Sequence, residues 1–221
     1  MSGGPGLGGG TPAGGAASWK VQSERTGASL DPVEASALIE RCRAGDELAW
    51  EALVRRYQGR VYSVTLHYLR HAEESRDAAQ EVFLRVYERL DTFHGDAGFL
   101  PWLLRLARNA SIDRLRRRAA RPPADDLVVE DGVELAASGP DAEEQVGLRA
   151  RRRLVWRAVV GMTEQHREVI LLHEIQGLKL EQIAEMLGLP LGTVKSRSNR
   201  ARIELATRVR ELDPAYGAAT P

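Results

Sequence analysis

Residues 180–202, LEQIAEMLGLPLGTVKSRSNRAR, constrain the fold of this chain more than any other stretch. Ile183, Ala184 and Leu187 form an apolar stripe at helical spacing. Ala184 is small where two helices would cross closely. Gly188 suits a left-handed stop, and Pro190 suits the first turn of a new helix, where its missing N–H costs nothing. Val194 is placed to pin the second helix to the first. Lys195, Arg197, Arg200 and Arg202 then make a dense basic edge. The pattern predicts a helix-turn-helix whose second helix enters a DNA major groove. Repressors, activators and initiation factors all use this motif, so alone it specifies a fold and not a job.

The rest of the chain reads as helices without period-2 strands. Residues 1–29 are rich in Gly, Ala and Ser, too poor in apolar surface to offset chain entropy, and are expected to be disordered; Trp19 is an outlier there. Asp31, Pro32 and Glu34 are a helix-start signal, and that first helix should end at Gly45. Asp46 is placed to cap a long helix with Trp50, Val54, Tyr57, Val61, Val64 and Tyr68 on its inner face. A third helix is expected over residues 74–90, with Ala78, Val82, Phe83, Val86, Tyr87 and Leu90 inward. A fourth is expected over 99–118, with Leu103, Leu106, Ala107 and Ala110 inward. Further helices are expected over 145–160 and 164–174. The expected class is all-α: two small helical domains, 30–119 and 145–212, joined by a flexible acidic linker, 120–144, with a disordered tail, 213–221.

Formal net charge over the 221 residues is zero, but the charge is segregated. Seven arginines (105, 108, 114, 116, 117, 118 and 121) face one acid, Asp113, between positions 105 and 121, whereas positions 125–144 carry acids only. The linker acids suit a solvated tether or a mimic of nucleic acid. Cys42 is the single cysteine, which excludes an intrachain disulfide. The histidines are scattered; His67 and His71 stand at i, i+4, but no carboxylate or third ligand is placed to complete a metal site, so they read as helix-surface residues. No metal, cofactor, paired catalytic groups or phosphate loop is expected, so the chain is not read as an enzyme. It lacks a secretory n-region and an apolar run of the ~20 residues that span a membrane, which predicts cytoplasmic location without membrane insertion.

Two segments of the first domain carry more information. One is DAAQEVFLRVYERL from Asp77. The other is FLPWLLRLARNASIDRLRRR from Phe99. In the second, Arg105, Arg108 and Arg116 can neutralise phosphates, Trp102 can stack on an unstacked base or fill the core, and Asn109 can read a base edge or bond to backbone. Gln80 and Glu81 alone would suit a solvated helix face.

Together with GTVKSRSNRAR, these segments resemble the extracytoplasmic-function class of bacterial sigma factors, over residues 34–119 (region 2) and 145–210 (region 4). The long segment between these regions in housekeeping sigma factors is missing. The resemblance implies that Asp77, Gln80, Glu81, Phe83 and Arg85 dock on the clamp coiled coil of core RNA polymerase, with the flap as a further polymerase partner. It implies that the loop from His94 to Phe99, with Trp102, Arg105, Arg108 and Asn109, captures the −10 element. It implies that Lys195, Ser196, Asn199 and Arg200 read −35 bases while Thr193, Arg197 and Arg202 hold phosphates. A cognate anti-sigma factor is implied as a further partner. A stand-alone helix-turn-helix regulator is the alternative; it would not need the DAAQEVF helix.

The chain departs from the family pattern in three places. Lys179 stands where Ser or Thr often caps the first helix of the helix-turn-helix, Ser198 where Leu or Ile is common, and Met162-Thr163 where Leu-Pro is common. The missing cap and polar Ser198 predict a helix-turn-helix that leans on tertiary packing. Asn199 occupies a position that varies among subfamilies, which leaves the promoter sequence open.

Overall fold

The computed structural model describes residues 32–95, 98–120 and 142–216. The expectations for Asp31, the N-terminal segment, residues 121–141 of the acidic linker and the end of the tail lie outside the described residues, whereas 142–144, expected as linker, already belong to a helix that starts at Ala142. Among those described, the chain forms helices and no strand. They run as α1 (Pro32–Arg43), α2 (Glu47–Leu69), α3 (Ala72–Arg89), a 3-10 turn (Leu90–Thr92) and α4 (Phe99–Ala119), then α5 (Ala142–Val160), α6 (Glu164–Ile170), a π turn (Leu171–Ile175), α7 (Leu180–Leu187) and α8 (Leu191–Leu212).

Asp46 caps α2 as expected, its carboxylate accepting from the Ala49 amide at 3.1 Å. The inner stripe of α2 begins one residue earlier than the spacing predicts: Ala49 and Leu53 are buried, ahead of Tyr57, Val61 and Val64, whereas Trp50 and Val54 are half-buried. Trp50 instead meets Tyr87 edge-on, centroids 5.3 Å apart, and Tyr87 is 69% exposed, not inward. Val82, Phe83 and Val86 of α3 and Leu103, Leu104 and Ala107 of α4 complete this core; Leu106 is only half-buried. Each large apolar side chain there stabilises the fold by ~1.5–3 kcal/mol.

The histidine reading needs correction. His71 is the N-cap of α3, its Nδ1 accepting from the Glu74 amide at 3.3 Å. His67 is 8% exposed, edge-on to Tyr68 at 4.7 Å, and neither ring nitrogen has a hydrogen-bond partner. Ser63, Val64, Thr65 and Leu69 are buried as well, so this end of α2 is covered on more than the predicted face.

In the second unit Val194 and Ile183 are fully buried, and Gly188 adopts the left-handed conformation (φ 65°, ψ 35°) that stops α7. Ser198 is buried as well, 2% exposed, so the polar substitution does not lift the recognition helix off its support. Lys179 offers no side-chain acceptor, but its amide donates to Gln182 Oε1 at 3.0 Å. Gln182 thus supplies one half of a capping box. The start of α6 is held by Glu204 of α8, which accepts from the Thr163 amide at 3.0 Å and contacts His166 Nδ1 at 2.5 Å.

Two groups make this fold acid-sensitive. Burial, reinforced by the Arg167 and Arg70 charges, pulls the His67 pKa from 6.5 to about 3. The unfolded chain therefore takes up a proton below pH 6.5 that the folded chain refuses, and stability falls as pH drops from 6.5 towards 3. Burial raises the Glu204 carboxyl, but hydrogen bonds from His166, Thr163 and Arg208 outweigh it and hold it at about 2 rather than 4.5. Its contribution is present above pH 4.5 and is lost as pH falls to about 2. Chemical denaturation between pH 8 and 4 should show a decline beginning near pH 6.5, and His67→Leu should flatten the upper part of it. A flat wild-type profile would contradict the buried neutral ring.

Candidate nucleic-acid interface

The segment before α4 is built on aromatic packing. Phe99 is buried, edge-on to Tyr57 and Phe93 at 5.2 and 5.6 Å, and Trp102 leans on Phe93 and Phe99 at 5.3 and 5.7 Å. Trp102 is half-buried, so one side of the indole serves the core and the other remains accessible. Arg43 of α1 ties this segment down: its guanidinium donates to the carbonyls of Leu90, at 2.9 Å, and Phe93. Arg43 is a positioning residue that sequence reasoning missed, because no local pattern links position 43 to a loop some fifty residues away. His94 is exposed beside it, and His94, Phe99 and Pro101 help line a cleft of about 810 Å³. Asp96 and Ala97 lie outside the described residues.

Along α4, Asn109 projects into solvent. Arg108 does not: its Nε lies 3.1 Å from the Tyr68 hydroxyl and 3.3 Å from a Glu168 oxygen of α6. Arg105 pairs with Glu185 of α7 at 2.6 Å. Burial first, then the Glu168 charge and hydrogen bond, pushes the Tyr68 hydroxyl well above its usual range, so it remains a neutral donor. The structure thus brings together His94, Phe99 and Trp102, and holds Arg105 and Arg108 against the second unit.

On α8, Lys195, Ser196, Asn199 and Arg200 are exposed, and their i, i+3 and i+4 spacing puts them on one side of the helix. This is the geometry by which a recognition helix offers amide, hydroxyl and guanidinium groups to base edges. Thr193 and Arg197 are half-buried at the flank. Arg202 is exposed and pairs with Glu174 at 2.6 Å, so phosphate would have to displace a carboxylate.

The face of α3 differs from both. Asp77 and Gln80 are exposed, Glu81 and Arg85 are half-buried and paired with each other at 2.5 Å, and Arg114 approaches Glu81 at 3.7 Å. Phe83 is a core residue, 8% exposed, and presents almost nothing to a partner. The exposed large apolar side chains on this face are instead Leu84, 66% exposed, and Tyr87. A sequence signal existed for Leu84, which lies off the inner stripe, seven residues after Asp77, but not for Tyr87, whose spacing matches that stripe. No described helix is long and apolar enough to cross a membrane.

Comparison with known proteins places both helical regions in one family. Residues 53–121 match Sigma-70 region 2, and residues 152–205 match Sigma-70, region 4. The RNA polymerase sigma-H factor of Pseudomonas aeruginosa is 35% identical over 170 residues, covering 75% of this chain and 88% of that protein. The ECF RNA polymerase sigma-E factor of Escherichia coli K12 is 34% identical over 180 residues, covering 79% and 94%. The fold is similar to that of CnrH in complex with the cytosolic domain of CnrY, with a TM-score of 0.53, 24% identity and coverage of 80% and 96%. It is similar also to the sigma factor RpoE in complex with the anti-sigma factor NepR from Bartonella quintana, with a TM-score of 0.52, 19% identity and coverage of 73% and 94%. Carrying both regions, in order and at this identity to full-length relatives, the chain belongs to the extracytoplasmic-function class of sigma-70 factors.

Proposed function

We infer that the chain is a promoter-specificity subunit of RNA polymerase. It binds the core enzyme, recognises −35 and −10 elements and helps melt the −10 region, with no catalysis of its own. One observation supports the reading: a single chain carries two arginine-bearing helices, α4 in the region 2 match and α8 in the region 4 match, together with a third face on α3 that DNA reading does not require. That third face disfavours the stand-alone regulator.

Residues 30–119 then form the polymerase- and −10-binding domain, residues 145–212 the −35-binding domain, and residues 120–144 the tether. Asp77, Gln80, Glu81 and Arg85, joined by Leu84 and Tyr87, meet the clamp coiled coil, while Phe83 holds that face in shape from beneath. His94, Phe99 and Trp102 form the recess for an unpaired base of the −10 element. Arg105 and Arg108 hold its phosphates, and Asn109 contacts a base. Lys195, Ser196, Asn199 and Arg200 read the −35 duplex, flanked by Thr193, Arg197 and Arg202. The Bartonella quintana sigma factor RpoE was solved in complex with an anti-sigma factor, and an anti-sigma factor is also proposed for this chain.

The test is transcription in vitro with core polymerase and a genomic promoter library. Defined start sites that depend on this chain are expected. Asn109→Ala should leave initial promoter binding within about twofold and reduce open-complex formation about tenfold or more, the effect of losing one base contact of ~1–3 kcal/mol. Permanganate footprinting separates the two steps, and a loss confined to initial binding would contradict the assignment.

A further inference from the structure

A large apolar side chain on α8 takes no part in the core. Ile203 is 68% exposed, well above Ile175, Leu212 and Tyr216, the other exposed large apolar side chains among the described residues of the second unit. Val194, Ser198, Ala201 and Val209 are buried on the opposite side of the helix. At about 100° per residue, Ser196, Asn199, Arg200 and Ile203 fall within an arc of about 100°, and Ile203 lies near its middle. Ile203 therefore continues the base-reading face by one turn. It rises about 4.5 Å beyond Arg200, against about 3.4 Å between stacked base pairs. A helix lying along the groove thus brings it to a base pair a step or so beyond the one that Arg200 meets.

The surroundings of Ile203 identify its partner. Asn199, Arg200, Arg202 and Arg210 are exposed on this part of α8. Glu204, next in sequence, is turned towards α6, where it accepts from the Thr163 amide at 3.0 Å, and it also accepts from Arg208 at 3.1 Å. The Thr207 hydroxyl donates to the Ile203 carbonyl at 3.0 Å, which commits it to the helix backbone and not to a base. The core of a protein–protein interface is depleted of charge and surrounds an apolar anchor with further apolar groups. An isolated apolar side chain among arginines fits instead a polyanion that carries isolated apolar groups. In the DNA major groove that group is the C5-methyl of thymine.

We propose that Ile203 reads a thymine of the −35 element by packing on its C5-methyl group. The proposal rests on the −35 assignment of α8. It adds an apolar contact to a face that otherwise recognises bases by hydrogen bonds. The β-branched side chain is stiff at χ1 in a helix, so it meets the methyl in one rotamer and loses little freedom on contact.

Holoenzyme binding to a promoter recovered from the genomic library tests this. Each thymine of the −35 element is replaced in turn by deoxyuridine, which removes the methyl and keeps every pairing group. One replacement should weaken binding about fourfold, the contribution of one buried CH2 group. Ile203→Ala should lose a similar factor on the thymine duplex and become indifferent to that replacement, whereas Ile203→Val should keep most of the discrimination. The coupling between protein and base changes is the readout. Folding is retained, because alanine is a good helix former at an exposed position. Indifference of the wild-type holoenzyme to every deoxyuridine, a −35 element without thymine, or a deoxyuridine effect unchanged in Ile203→Ala would overturn the proposal. Lowered core-polymerase affinity of Ile203→Ala without thymine dependence would assign the side chain to a protein contact and overturn it as well. Arg200→Ala on the same duplexes keeps the two readings apart. If it weakens binding while Ile203 shows no coupling to thymine, only the methyl contact is lost. If neither residue affects −35 binding, the assignment of α8 falls with it.

Discussion

Leu84→Glu is expected to lower affinity for core RNA polymerase by about thirtyfold or more, with little change in thermal stability. The side chain is 66% exposed and lies beside Gln80 and Tyr87 on α3, so its replacement disturbs the surface and not the core. Central apolar anchors of interfaces typically cost ≥ 2 kcal/mol when lost, and a buried carboxylate adds its own desolvation penalty. Leu84→Met should retain most of the affinity, because it keeps the apolar contact. Phe83→Ala makes the contrast: it should destabilise the fold by ~3–5 kcal/mol, as expected for a truncated core aromatic. Any loss of polymerase binding would then follow the loss of folded protein. Co-purification with core enzyme, read against melting curves of the same variants, separates the two. Unchanged affinity of Leu84→Glu would remove α3 from the polymerase interface.

Arg200→Ala is expected to weaken binding of a −35 duplex by ~1–3 kcal/mol, about five- to 150-fold, and to flatten discrimination at one base position. Core polymerase affinity should be unchanged, since Arg200 lies on the far domain. Arg202→Ala should behave differently. It is expected to weaken all duplexes alike and to reduce the salt dependence of binding by about one phosphate's worth, a slope change near 0.9. Titrations of specific and scrambled duplexes at several salt concentrations distinguish these patterns. A uniform effect of Arg200→Ala across sequences would reassign it to backbone contact.

Most of the architecture was legible because helices leave periodic traces. Caps at Asp46 and Gly188 punctuate them, and Val194 and Ile183 are apolar where a helix-turn-helix must cross. The misplacements share one cause. Periodicity identifies a helix face but not what covers it. Trp50 and Tyr87 look like core residues by type, yet satisfy each other at the surface. His67 looks like a surface residue by type, yet is buried. The spacing puts Tyr68 on the inner face, but its hydroxyl partner is a hundred positions away, at Glu168. Contacts at that separation leave no local signature. For the same reason the intramolecular partners of Arg105 and Arg108, Glu185 and the Tyr68–Glu168 pair, were not legible.

The π turn at Leu171–Ile175 has a consequence for how such a protein can change. It holds one more residue than an α-helical turn over the same span, and the Gln176 and Gly177 amides close it on the carbonyls of Leu171 and His173. Removing one residue there would restore regular winding and swing everything beyond it by about 100°. Leu172 and Gln176 would lose their seats, and α7 and α8 would face a new direction with every base-reading side chain unaltered. Single-residue insertions and deletions at this turn thus act on the aim of the reader and not on its alphabet. They offer a lineage a way to alter the geometry between two DNA-binding surfaces while conserving the sequence that each one reads.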